Sequence, residues 1–205
     1  MGLNELLNVN NTFKEYIKAN EGYDPNIYND TKKIPTTGYG FNLKAEHIRE
    51  QIPPDVLSGK RALKKQEAEV IFENVYTQSI NDARQFVGNE TFNSLGNEQK
   101  QVLIDMAYNM GLTRLNKFNN MRKALQSGDM KTARKELLDS KYATEDVPNR
   151  ALKNADLLYK DEGSLYNLIS EDAKLSPFKK AFAEARKAGK KTFEFNGKKY
   201  TTEVK

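Results

Sequence analysis

What the chain lacks narrows its chemistry before any motif is considered. Across 205 residues there is no cysteine, so disulfides and thiol chemistry are excluded. His47 is the single histidine, and with no cysteine to join it neither a metal nor a cofactor is expected. A Ser-His-Asp device would have to use His47, and nothing marks a nucleophile beside it. No run of about 18 apolar residues is present, so no transmembrane segment is expected. The N-terminal residues carry no basic region and too short an apolar stretch for a secretory signal. Met1-Gly2 begins a myristoylation pattern, but Leu6 stands where Ser or Thr is required. Any hydrolysis must then run on carboxylates.

What is present is charge, unevenly spread. The formal net charge is +5. Residues 1–170 hold 23 basic and 23 acidic side chains, whereas residues 171–205 hold 10 and 5. The basic character belongs to the tail, and attraction to an anionic partner should act there.

Thr12 and Glu15 make a capping box, and Phe13, Tyr16 and Ile17 recur at helical spacing, which predicts a short helix over 12–21. The Asp24-Pro25 step ends it. Residues 27–29 and 34–41 read as the arms of a hairpin about a turn at 30–33. Gly38 and Gly40 alternate with Tyr39 and Phe41, a pattern of close backbone approach. Pro53-Pro54 breaks the chain. From Ser58 to Val87 an amphipathic stretch offers Leu63, Val70, Val75, Ile80, Ala83 and Phe86 to a core. A helix of about 25 residues would be roughly 38 Å long, enough to connect two lobes. Further helical patterns cover 97–110, 113–127 (interrupted near Lys117-Phe118), 129–139 and 148–159. Ser127-Gly128-Asp129 closes one and opens the next, and Pro148 suits a first turn.

The fold class is therefore α+β, predominantly α. A small hairpin-containing lobe (12–57) is joined by a long helix (58–87) to a helical lobe (88–170), with the cleft between lobes as the default site. Tyr108, Phe118 and Tyr142 read as core and His47 as surface. Residues 171–205 read as a basic C-terminal appendage. It comprises a helix over 177–188 stopped by Gly189, then a hairpin about Asn196-Gly197 flanked by Phe193, Phe195 and Tyr200.

The stretch E-G-Y-D-P-N-I-Y-N-D-T-K-K-I-P-T-T-G-Y-G places Glu21, Asp30 and Thr36 within sixteen residues. A glycosidase needs two carboxyl groups in different environments, one protonated and one ionised. Most paired acids in so charged a chain are solvated surface, so spacing alone decides nothing. Asp30 also reads as a turn residue bonding its own backbone, and Thr36 as a β-branched strand residue.

The surrounding residues are more specific. Glu21-Gly22, Asp30-Thr31, Thr36 and Gly38-x-Gly40, with Tyr28, match without a gap the active-site segment of the phage lysozymes of T-even type, glycoside hydrolase family 24. Asn109-Met110-Gly111 resembles that family's cleft-facing segment of the helical lobe, and Pro148-Asn149-Arg150 its P-N-R at the start of the last helix. The resemblance spans about 12–160. Phe41 departs from the polar histidine of some members, and Val147 from a threonine often found before P-N-R.

The resemblance implies a lysozyme-like fold over 1–170 and a muramidase acting on bacterial peptidoglycan between N-acetylmuramic acid and N-acetylglucosamine. It implies Glu21 as general acid, its pKa raised by a low-polarity or hydrogen-bonded helix end. Asp30 would stay ionised and activate a water held by the Thr36 hydroxyl, an arrangement that fits inversion. Thr37 is a confusable neighbour, and the gap-free register selects Thr36. Asn109, Gly111, Asn149 and Arg150 would face substrate. Equally, Asn109 could cap its helix before Gly111, and Asn149 and Arg150 could form a helix-start and interlobe ion-pair device.

The expected role is host lysis as an endolysin, made in the host cytoplasm and acting in the periplasm or cell wall. The second reading is a virion-associated lysin opening the wall during entry. A lytic transglycosylase, or a non-catalytic wall-binding module, would be the alternatives outside these. The tail is open to binding an anionic envelope polymer, a phage virion protein or, without being obligatory, nucleic acid.

Overall fold

The computed structural model describes residues 3–160, 185, 192–195 and 198–201. The chain divides into two units, Met1–Tyr159 and Lys160–Lys205.

The first unit opens with helix α1, Leu3–Glu21, which starts nine residues earlier than its capping signal predicts. Residues 4–11 contain neither proline nor glycine, so nothing stops the helix there, and the Thr12–Glu15 pair lies inside it. Phe13 and Ile17 enter the core. The Gly22 N–H closes the helix by donating to the Lys18 carbonyl at 2.9 Å, so Glu21 is its last residue. Strands β1 (Asp24–Asn29), β2 (Pro35–Gly38) and β3 (Phe41–Asn42) follow as an antiparallel sheet in the order β1-β2-β3. The third strand extends the expected hairpin. Thr36 pairs with Tyr28 on one side and Asn42 on the other.

Two short helices, α2 (Glu46–Arg49) and α3 (Pro54–Leu57), lead to α4, Lys65–Val87. The long helix starts at Lys65 rather than Ser58. Arg61 is the reason: its guanidinium binds Asp55 Oδ2 at 2.6 Å and both Glu67 oxygens at 2.7 and 2.8 Å. The Lys64 backbone N–H donates to Glu67 Oε2 at 3.0 Å, so the first turn is pinned in place. At 23 residues α4 is roughly 35 Å long. Ala68, Ile71, Phe72, Val75, Tyr76, Ala83 and Phe86 form its buried stripe. Val70 is a correction to the expected core: it is 64% exposed, because Ile71 and Phe72 define the core face and turn their neighbour to solvent.

The helical lobe continues with α5 (Asn89–Ser94), α6 (Asn97–Leu115), α7 (Asn119–Gln126) and α8 (Met130–Leu138). A π-helical turn at Tyr142–Asp146 precedes α9, Pro148–Leu158. Helices α4 and α6 share the most extensive packing. The helix expected over 113–127 is divided differently: α6 runs on to Leu115 across a kink at Gly111 (φ 71, ψ 163), and α7 begins at Asn119. Asp129 caps α8 by accepting the Thr132 N–H at 2.9 Å. Tyr142 is buried, Tyr108 and Phe118 pack partly buried against the core, and His47 is exposed. Neither α5 nor the π turn announces itself in the hydrophobic pattern.

In the second unit, β4 (Thr192–Phe195) and β5 (Lys198–Thr201) pair antiparallel, with Phe193 opposite Tyr200 and Phe195 opposite Lys198. The Asn196-Gly197 turn lies outside the described residues, as does the helix expected over 177–188 apart from residue 185. Among the described residues no helix is long and apolar enough to cross a membrane, and no cluster of His, Asp and Glu could hold a metal ion.

Candidate active site

Glu21 stands at the C-terminal end of α1, where the chain turns into the sheet, and its side chain is only 15% exposed. Its Oε1 accepts a hydrogen bond from Arg150 Nη1 at 2.5 Å. Oε2 lies directly over Gly40. A Cβ on Gly40 would collide with that oxygen, and the backbone there has φ +73, so only glycine fits. The glycine of the β2–β3 turn thus makes room for the carboxylate.

The residue between Gly38 and Gly40 locks that turn to the rest of the lobe. The Tyr39 hydroxyl donates to Glu69 Oε1 of α4 at 2.6 Å, and Lys18 Nζ of α1 donates to Glu69 Oε2 at 2.6 Å. Burial works against ionising Glu69, but the hydrogen bonds from Lys18 and Tyr39 outweigh it and hold its carboxyl below the ordinary value. Burial, then Glu69, pushes the Tyr39 hydroxyl well up. The Tyr39 carbonyl accepts from the Tyr108 hydroxyl of α6 at 2.7 Å. One residue therefore ties sheet, α4 and α6 together beside Glu21.

Arg150, in the first turn of α9, is buried and bound through all three nitrogens. Besides Glu21, it holds Asp105 of α6 bidentately, Nε to Oδ2 at 2.9 Å and Nη2 to Oδ1 at 2.7 Å. Burial works against its charge, and Asp105 and Glu21 more than compensate, raising it further above its ordinary value. Asp105 is 0% exposed. It also accepts from Asn154 Nδ2 at 2.7 Å, and Asn154 Oδ1 accepts from the Tyr16 hydroxyl at 3.0 Å. A continuous polar chain runs Tyr16–Asn154–Asp105–Arg150–Glu21 through the core. Sequence reasoning names Arg150 but misses Asp105, Asn154 and Tyr16. The signal for Asp105 is one acid inside the apolar run V-L-I-D-M-A-Y, where a lone carboxylate requires a buried cation.

Asp30 opens the β1–β2 turn. Its Oδ1 accepts the backbone N–H groups of Lys32 and Ile34, each at 2.8 Å. The turn role is thus fully met through one oxygen. Thr36 is 4% exposed, and its hydroxyl donates to the Ile34 carbonyl at 2.9 Å, so it retains only acceptor capacity. Thr37 points to the opposite face of β2, with its hydroxyl toward the Asp24 carbonyl at 3.4 Å.

The remaining candidates divide. Asn109 and Gly111 sit half-buried at the α6 kink, and Asn149 is exposed on the first turn of α9. Arg150 is gathered to Glu21; the other three are not joined to it by a described contact. Nearby, Asp146 of the π turn receives Lys32 of the β1–β2 turn at 2.5 Å and also pairs with Arg114. Hydrogen bonding from Lys32 is the main cause that holds the Asp146 carboxyl below its ordinary value. A groove of about 690 Å³ opens beside it, lined by Arg114, Phe118, Tyr142 and Asp146. Neither Glu21 nor Asp30 lines that groove.

A family model described as phage lysozyme matches residues 18–154. The chain is also similar to the pre-baseplate central spike protein Gp5 of Enterobacteria phage T4, at 26% identity over 145 residues. That match covers 65% of this chain and 25% of the spike protein, so the chain spans about a quarter of the relative's length.

Proposed function

This chain belongs to the phage lysozyme family, and on that premise we propose that it is a peptidoglycan muramidase with Glu21 as acid, Asp30 as base and Thr36 as water-holder. The observation that carries the reading is the Glu21 carboxyl itself. It is held at the helix end by Arg150 and seated over a glycine that leaves it room.

Glu21 gives its proton to the glycosidic oxygen between N-acetylmuramic acid and N-acetylglucosamine as the C1–O bond breaks. A water attacks C1 from the opposite face, and its proton passes to Asp30. One water is consumed, and the leaving sugar departs as an alcohol. Because the Thr36 hydroxyl gives its hydrogen to Ile34, it can only accept from that water, which aims a water lone pair at C1. Opposed acid and base of this kind invert the anomeric centre.

Two experiments test this. Time-resolved ¹H NMR of a short glycan digest should show the inverted anomer first; retention would overturn the roles given to Asp30 and Thr36. Asp30→Asn separates the turn role from the chemistry. The amide oxygen can still accept the Lys32 and Ile34 N–H groups, so the variant should fold with an unchanged melting curve and lose about 10²–10⁴-fold in rate. Anhydro-muramyl ends in the products would favour a transglycosylase and sink the hydrolase reading.

For biological role, host lysis as an endolysin is the first reading, with the domain of residues 1–170 as the catalytic part and the basic tail binding an anionic envelope polymer. A particle-borne lysin is a second reading, favoured by the similarity to a phage spike protein. Mass spectrometry of purified particles separates them: stoichiometric presence supports the second, absence the first.

A further inference from the structure

We propose that Asp105 is a positioning and counter-charge residue for the acid, acting through Arg150 to keep the buried cluster electrically balanced when Glu21 carries its proton. This rests on the reading of Glu21 as general acid.

Arg150 is buried and Asp105 has no exposed surface. Their bidentate pair, at 2.9 and 2.7 Å, is neutral by itself. Asn154 gives Asp105 a neutral hydrogen bond and is itself held by Tyr16. Glu21 is therefore the third charge against a guanidinium already matched. Were position 105 neutral, Arg150 would need Glu21 as its carboxylate. With Asp105 present, the cluster is balanced when Glu21 is protonated, the state a general acid must occupy before it acts. Low-dielectric surroundings make that balance matter far more than it would at the surface.

Geometry points the same way. Arg150 Nη1 reaches Oε1, and the carbonyl oxygen of the protonated acid can still accept that bond, more weakly than a carboxylate oxygen does. Oε2, over Gly40, is the oxygen left to hold the proton. The bidentate grip of Asp105 fixes the plane of the guanidinium and so the direction of Nη1. Among the described residues, Tyr28 of β1, Tyr108 of α6 and Tyr142 of the π turn feel the charge of Glu21. All three hydroxyls are pushed up, chiefly by burial, and are neutral across the working pH range. Asp105 and Arg150 are the ionised groups of the hydrogen-bonded chain that ends at Glu21.

The test compares rate–pH profiles of wild type, Asp105→Asn and Arg150→Gln on purified peptidoglycan, with near-UV circular dichroism to select folded protein. Asp105→Asn leaves Arg150 matched by Glu21 alone, so the alkaline limb of activity should move to lower pH by about one unit. Arg150→Gln removes the cation and leaves Asp105 facing Glu21, so the limb should move to higher pH. Opposite displacements do not arise from generic structural damage. Unchanged limbs in folded variants, whatever the loss of rate, would overturn the proposal. If Asp105→Asn does not fold, the double variant Asp105→Asn/Arg150→Gln is compared with Arg150→Gln: a limb at lower pH in the double variant supports the role of Asp105, and coincident limbs overturn it. Glu21→Gln is the separate control. Full activity there removes the acid reading itself, whereas an inactive Glu21→Gln with an unmoved Asp105→Asn profile removes only the role of Asp105.

Discussion

A methyl group at position 40 would decide more than most substitutions in this chain. The Gly40 Cα faces Glu21 Oε2 with φ +73, so Gly40→Ala imposes backbone strain of about 1–3 kcal/mol and also displaces the carboxyl. A displacement near 1 Å costs about 10²-fold in rate. Turnover of Gly40→Ala should therefore fall about 100-fold with a lowered melting temperature; wild-type turnover would show that Glu21 need not sit where Gly40 allows. Ion pairs at this scale differ by burial. Removing Arg150 strands buried Asp105, so Arg150→Met should cost about 3–5 kcal/mol. Asp146→Asn opens the pairs with Lys32 and Arg114, whose side chains are each 46% exposed, and should cost under about 1 kcal/mol. Urea denaturation of the two variants checks the ordering, and equal losses would contradict it.

Among the elements, the start of α4 carries a pH dependence of its own. Hydrogen bonds from Arg61, before the backbone N–H of Lys64, hold the Glu67 carboxyl down at about 2 from an ordinary 4.5. A carboxyl lowered in the folded state stabilises above its ordinary value and loses that contribution as pH falls toward the folded one. The melting temperature should therefore decline as pH drops from about 4.5 to about 2, and Glu67→Gln should flatten that decline; an identical slope would show the Arg61 cluster to be incidental. This cluster also explains one limit of sequence reading. Apolar spacing continues across Leu63, and Ser58 looks like a start, but Arg61 grips Asp55 and Glu67 and delays the helix to Lys65. In the same way, α1 outruns its capping box because a cap signal needs a break to act on, and residues 4–11 supply none. Alternation and turn residues, by contrast, made the sheet and the Asp30 turn readable, since Asp30 satisfies that turn through its own side chain.

Across the whole molecule, the two lobes meet at Glu21 through residues far apart in sequence. Arg150, Asp105, Tyr39 and Tyr108 converge there from α9, α6 and the β2–β3 turn. Glu21, Asp30, Thr36 and Arg150 come to notice through resemblance to a family's motifs, each of which is local in sequence. Asp105 and Asn154 do not, because their meaning arises only when α6 and α9 pack together, and Val70 departs from the expected core because Ile71 and Phe72 define the buried face. Charge is a property at this scale too: residues 171–205 hold the entire +5 excess. Attraction to an anionic wall polymer should then be screened by salt through the tail. Deleting 171–205 should flatten the salt dependence of peptidoglycan binding, and an unaltered dependence would place the attraction on the neutral remainder.

The proposed chemistry depends on Glu21 as donor of the proton that breaks the glycan. The most direct measurement is the rate of reducing-end release from purified peptidoglycan by wild type and by Glu21→Gln, an isosteric change that keeps an acceptor for Arg150. The rate should fall about 10²–10⁴-fold in a protein whose circular dichroism is unchanged. Equal rates would contradict that role.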